Sequence, residues 1–201
     1  MKIEIDAKAR NEEKLWDIAE YLEALKSAVV EIESDYEDEN GISDVLTDAL
    51  EYLDDAIDAV NEAAEKFKEA DGLIVVSPVY YGSPNGTLIS FLDRLFYSRY
   101  YPIAMKVGAA FAIARRGGTV ASFDVLNKYF TISGMPVASG DYWNNGFGRE
   151  KGEIEQDKEG LRNARVVAKR MVFLMKAIKD AKENYPDMLE DEPRVFTHFI
   201  H

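Results

Sequence analysis

With 201 residues, 47% apolar and 30% charged, the chain is about the length of one domain and has apolar residues enough for a core. It holds no cysteine and only two histidines, His198 and His201. That excludes disulfides, cysteine-held clusters and cysteine nucleophiles, and leaves histidine chemistry without a basis. The net charge of −13 is concentrated in residues 1–71, at −16, against +3 in residues 72–201. With no concentrated basic surface, no membrane-length apolar run and no signal-peptide pattern, neither nucleic acid nor membrane is an expected partner, and the cytoplasm is the expected compartment.

The N-terminal part reads as acidic and helical. Lys2–Asp6 alternates as a short strand, and Leu15, Ile18, Ala19, Leu22 and Leu25 mark one helix face after an N-cap at Asn11. Ala28–Glu33 alternates again. Asn40-Gly41 is a turn, and Ile42, Val45, Leu46, Leu50, Leu53, Ile57, Val60, Ala64 and Phe67 then form an apolar stripe opposite Asp and Glu. Every proline lies beyond this point, and so does every glycine but Gly41.

From Gly72 the pattern changes to alternating strand and helix. Leu73–Val76 reads as a parallel strand buried on both faces. A loop from Val79 to Gly86 leads to a helix through Leu88, Phe91, Leu92, Leu95 and Phe96. Val107–Ala114 is a second buried strand, followed by a helix over 120–130 in which Phe123, Tyr129 and Phe130 read as core. A third strand is expected at Pro136–Ser139. A loop from Gly140 to Gly148 precedes a long helix with Leu161, Ala164, Val167, Met171, Leu174, Met175 and Ile178 on one face. Strand, loop and helix repeated three times imply an α/β fold, a mostly parallel sheet of about five strands between two layers of helices. A single domain over 1–201 is expected, acidic and atypical in 1–70.

Ligands of such sheets bind beyond the carboxyl ends of the strands, where three loops emerge. Ser77-Pro78-Val79-Tyr80-Tyr81-Gly82-Ser83-Pro84-Asn85-Gly86 offers a constrained backbone and two flat phenol rings. Arg115-Arg116-Gly117-Gly118-Thr119 brings glycines to a helix N-terminus, suited to an anion or a carbonyl. Ser139–Gly146 carries Tyr142 and Trp143, which with Phe147 are placed to cap a pocket or anchor a subunit contact. Each loop taken alone is also ordinary turn chemistry.

Together, Ser77–Ser83, Phe91-Leu92-Asp93-Arg94, Lys106–Ala110, Arg115–Thr119, Asn127–Ile132, Tyr142-Trp143-Asn144 and Arg194–Ile200 resemble the flavodoxin-like NADPH-dependent FMN reductases and their iron–sulfur flavoprotein relatives. The resemblance is strongest over 71–176. It implies a flavodoxin-like three-layer sandwich and an oxidoreductase in which FMN carries electrons from NAD(P)H to a small acceptor. It also implies a homodimer or homotetramer. Pro78, Val79, Tyr80 and Tyr81 would then wall the flavin ring, Asn85 and Gly86 border it, and Arg115, Arg116, Gly117, Gly118 and Thr119 meet its pyrimidine edge. No catalytic acid or base is called for, since the cofactor does the chemistry.

In the family the first strand ends in a Gly/Ser/Thr-rich loop that holds the FMN phosphate; the corresponding segment here, Lys2–Asn11, has no Gly, Ser or Thr. Lys8 and Arg10 could attract a phosphate by charge, although lone basic residues are more often solvated surface. The alternative is a flavodoxin-like scaffold or binding protein that has lost its flavin. The cysteines of the iron–sulfur relatives are missing, so no cluster is expected.

Overall fold

The computed structural model describes residues 42–97 and 102–189 and, beyond them, residues 193, 195 and 197. The expectations for Lys2–Asp6, the helix after Asn11, Ala28–Glu33, Lys8, Arg10, the two histidines and most of Arg194–Ile200 lie outside the described residues. The chain divides into two compact units, Met1–Glu69 with Thr87–Pro102, and Ala70–Gly86 with Ile103–His201.

In the first unit the apolar stripe forms helix α1, Ile42–Glu69, whose last turn carries Lys66 and Lys68 against the negative end of its dipole. Ala64 and Phe67 are buried. Helix α2, Gly86–Tyr97, buries Leu92, Leu95 and Phe96. The Phe67 and Phe96 rings meet at 5.8 Å, inclined by 53°, a contact adding about 1 kcal/mol to their area burial.

The second unit holds a four-stranded sheet. Strand β1 spans Gly72–Tyr80, β2 Ser83–Pro84, β3 Val107–Ala114 and β4 Asn145–Phe147, in the order β2-β1-β3-β4. β1 and β3 pair in parallel from Gly72↔Val107 to Pro78↔Ile113, and β4 pairs in parallel with Ala112–Ala114. Helix α3, Thr119–Ile132, covers one face of β3. There Phe130, fully buried, lies so close to Gly108 that a Cβ at that glycine would stand 2.5 Å from the ring. Helix α4, Lys158–Asn184, covers the other, with Val167 and Met171 packed on Val107, Ala109, Phe111 and Ala138. Fully burying a side chain such as Val167 contributes about 1.5–3 kcal/mol.

Two expectations for the strands need correction. Leu73–Val76 is not buried on both faces: Val75 and Ser77 face the α3 side and are buried, while Ile74 and Val76 remain about half exposed. By the β1–β3 register, Ile74 and Val76 share a face with Ala109 and Phe111, and α4 is centred over β3. The strand expected at Pro136–Ser139 reduces to one bridge, Gly108↔Val137, and the true strand lies in the segment read as loop. Residues 136–138 meet the first half of β3, through Gly108 N–H to Pro136 O and Ala138 N–H to Gly108 O. Between that bridge and β4 the chain bulges outward, and the buried Asn144 takes the ladder's place: its Nδ2 donates to Ala110 O at 3.0 Å. A strand backbone would otherwise have to satisfy that carbonyl.

Candidate functional site

β1 continues through Tyr80 and folds back on β2, with Tyr80 opposite Ser83, so the expected loop is a tight hairpin. Its two central residues, Tyr81 at φ 50° and Gly82 at φ 77°, both take the left-handed conformation of a type I′ turn. Glycine adopts it freely; a tyrosine does so at a cost of about 1–2 kcal/mol. The strained residue is also fully exposed, and Tyr80 beside it is more than half exposed. Beneath the tip, Ser77 Oγ, wholly buried, accepts the Asn85 N–H at 2.8 Å and donates to Pro78 O. The hairpin is thereby fastened to the end of β1.

The turn between β3 and α3 closes against this hairpin. Gly118, at φ 87°, lies so near it that a Cβ would stand 2.7 Å from Gly82 Cα and 2.8 Å from Val79 Cγ1. Gly118 is also the N-cap of α3 and offers no side-chain oxygen to the first-turn amides. Arg115, Arg116 and Gly117 are exposed, and a Cβ at Gly86 or Gly117 would meet nothing within 4 Å. Pro78 through Gly86 and Arg115 through Thr119 are thus joined at the carboxyl ends of adjacent parallel strands. They leave two phenol faces, open backbone and an uncapped helix end toward solvent. Thr119 is buried and Val79 half-buried, so these two act through backbone and packing.

The third loop is held by a polar network not anticipated from the sequence. Asn163 of α4, buried, accepts the Asp141 N–H at 2.9 Å and donates to Asn144 Oδ1 at 3.2 Å. Asp141 pairs with Arg162 at 2.7 Å and Arg170 at 2.6 Å, and Arg170 also donates to Ser139 O. Hydrogen bonds from Arg162 and then Arg170 hold the Asp141 carboxyl below its ordinary range. Asp157 caps α4 by accepting the Gly160 N–H and, with its other oxygen, the Phe147 N–H. Asp157-Lys158-Glu159 is a legible capping sequence; the roles of Asn144 and Asn163 have no local signal. The loop walls a cavity of about 350 Å³ with Tyr142, Trp143, Phe147 and the first residues of α3 and α4.

A sheet in which β1, β3 and β4 run parallel and β2 antiparallel, with helices on both faces of β3, makes this an α/β protein of the flavodoxin-like kind. Residues 7–150 match the NADPH-dependent FMN reductase family, and the chain belongs to that family. In class it is therefore a flavin-dependent oxidoreductase. It is 34% identical over 131 residues to an iron-sulfur flavoprotein of Methanocaldococcus jannaschii, covering 61% of this chain and 68% of the relative. An iron-sulfur flavoprotein of Methanosarcina thermophila is 30% identical over 131 residues, covering 63% and 67%. Among solved structures, the flavodoxin, WrbA-like protein from Agrobacterium tumefaciens aligns at a TM-score of 0.40 and 22% identity, over 52% of this chain and 68% of that one.

Two cofactors are implied by these names, and they fit differently. A cysteine-held iron–sulfur cluster does not fit, because these 201 residues contain no thiolate. For a flavin ring, the two joined loops carry groups of a matching kind. Its faces match exposed phenols, and its carbonyl-bearing edge matches the uncapped amides at the start of α3, where open backbone permits close approach.

Proposed function

We propose that the protein is an FMN-dependent NAD(P)H oxidoreductase that passes electrons from a nicotinamide to a small-molecule acceptor. The observation that supports this reading is the contact at Gly118, which packs the hairpin and the β3–α3 turn against each other at the ends of adjacent strands. Bound FMN would supply the redox chemistry, accepting a hydride and passing on its electrons. The chain's residues bind and orient it. Pro78, Val79, Tyr80 and Tyr81 wall the ring, Asn85 and Gly86 border it, and the Arg115–Thr119 backbone donates to its pyrimidine carbonyls. Arg115 and Arg116 add positive charge at that edge, which favours electron-rich states of the ring. A homodimer or homotetramer would shelter exposed Tyr81.

The test is a titration of purified protein with FMN and with riboflavin, followed by absorbance and fluorescence quenching, then NAD(P)H oxidation by the loaded protein. Saturable stoichiometric FMN binding and NAD(P)H turnover are expected. FMN binding much tighter than riboflavin, by a margin that shrinks with salt, would point to Lys8 and Arg10 at the phosphate. Absence of binding by either flavin overturns the reading.

A further inference from the structure

The pyrimidine edge of a flavin presents a carbonyl, an N–H at N3 and a second carbonyl, so it calls for an acceptor between two donors. The guanidinium groups of Arg115 and Arg116 and the amides left open by the N-cap Gly118 supply donors only. An N3–H desolvated at that edge without an acceptor would cost affinity.

Asn145 stands beside the start of α3. It begins β4, level with Ala112 of β3, and it lines the cavity of the third loop together with Thr119 and Val120, the first two residues of α3. It is 9% exposed, and its Oδ1 has no hydrogen-bond partner. Among the described residues two other buried side-chain atoms share that condition, Ser122 Oγ and Asn127 Oδ1, and neither residue lines this cavity. The remaining carboxamide and carboxylates on the wall are committed or solvated: Asn163 Oδ1 accepts the Asp141 N–H, both Asp157 oxygens accept backbone N–H groups, and Glu159 is exposed. A buried amide oxygen without a donor is rare and calls for a partner. The last torsion of an asparagine side chain is soft, and this oxygen has no bond to break, so it turns readily to a donor entering the cavity.

We propose that Asn145 is a flavin-binding residue whose Oδ1 accepts the N3–H, between carbonyls that take the amides at the start of α3, so that the site selects rings carrying a hydrogen at N3. The assignment rests on the flavin reading above and extends it from the two joined loops to the third. The pyrimidine end lies in the cavity that Tyr142, Trp143 and Phe147 wall, and their rings keep water from the N3–H, which strengthens its bond to Asn145.

The experiment titrates flavin-free protein with FMN and with 3-methyl-FMN, in which a methyl group replaces the N3 hydrogen, and reads both affinities by fluorescence quenching. The parent should bind FMN at least about tenfold more tightly than 3-methyl-FMN, because a site built to pair an N–H rejects the analogue that lacks it. Asn145→Ala removes the acceptor and makes room for the methyl group. Its FMN affinity should fall about three- to thirtyfold, and its preference for FMN to about threefold or less. Asn145→Asp keeps an acceptor oxygen at the same reach and should keep the preference. A merely structural role would weaken both flavins alike and leave their ratio unchanged. Circular dichroism of both variants should match the parent's, and the comparison within the parent decides the matter even were Asn145→Ala to misfold. Equal affinity of the parent for the two flavins, or an undiminished preference in Asn145→Ala, overturns the assignment of Asn145 and leaves the flavin reading standing. Failure of the parent to bind either flavin overturns both.

Discussion

The contact at Gly118 makes the sharpest demand on the candidate site. Gly118→Ala places a Cβ 2.7 Å from Gly82 Cα and 2.8 Å from Val79 Cγ1, on a backbone at φ 87°. The left-handed conformation costs an alanine about 1–2 kcal/mol. Relieving the overlap requires the hairpin or the β3–α3 turn to move, since one contact is backbone; overpacking of this kind costs about 1–3 kcal/mol. Together these predict a loss of about 2–5 kcal/mol, or a fall in Tm of roughly 4–20 °C for a chain of this size. The neighbouring Gly117→Ala is the control: its Cβ meets nothing within 4 Å and it has no positive φ. That change should stay within about 0.5 kcal/mol of the parent. Urea denaturation of the three proteins reads the stability difference, and FMN titration reads the crevice, where a displacement of the two loops should weaken binding about tenfold or more. Were Gly118→Ala as stable as Gly117→Ala, the two loops would not be packed as described. A destabilised Gly118→Ala with unaltered FMN affinity would place the flavin elsewhere.

Tyr81→Gly separates conformational strain from ring contact: it relieves the φ 50° backbone and should leave stability equal or slightly higher, while FMN affinity falls. Unchanged FMN binding would remove Tyr81 from the ring's surroundings. Asn163→Leu strands the Asp141 N–H and the buried Asn144 Oδ1, so a loss of about 2–4 kcal/mol in urea denaturation is expected, with a shift in Trp143 emission; stability near the parent's would deny the network its role. For Asp141, the depressed folded value means that its contribution is complete above its ordinary 3.8 and is lost as pH falls through the lowered value. The stability difference between parent and Asp141→Asn should hence hold steady above about pH 4 and vanish on further acidification. A difference that persists undiminished at the acid end would show that the Arg162 and Arg170 bonds do not depend on the carboxylate's charge.

Much of the described fold was legible because its signals are local. The stripe from Ile42 to Phe67 could only be an amphipathic helix, and α1 runs to Glu69. The apolar Val107–Ala114 and the periodicity from Leu161 to Ile178 likewise marked β3 and α4. Glycines and prolines marked the loops, and the combination of their motifs pointed to the family that residues 7–150 match. The third strand was misplaced because strand formation there depends on register with β3 rather than on composition. Pro136–Ser139 looks more like a strand than Asn145-Gly146-Phe147, yet the latter lies level with Ala112–Ala114 and pairs. Asn144 bridges the gap with a side-chain bond to Ala110 O, which a residue-by-residue reading gives no cause to expect.

The site divides in the same way. Residue type along the chain determined that Pro78–Gly86 and Arg115–Thr119 would be tight, backbone-rich loops at strand ends, because glycine and proline act on their own dihedral angles. Their meeting at Gly118, the positive φ of Tyr81, and the cavity among Tyr142, Trp143 and Glu159 were decided only by tertiary structure. The meeting at Gly118 and the cavity depend on distances between segments far apart in sequence, set by how β1, β3 and α4 pack, and the φ of Tyr81 follows from the two-residue turn that the β1–β2 pairing leaves.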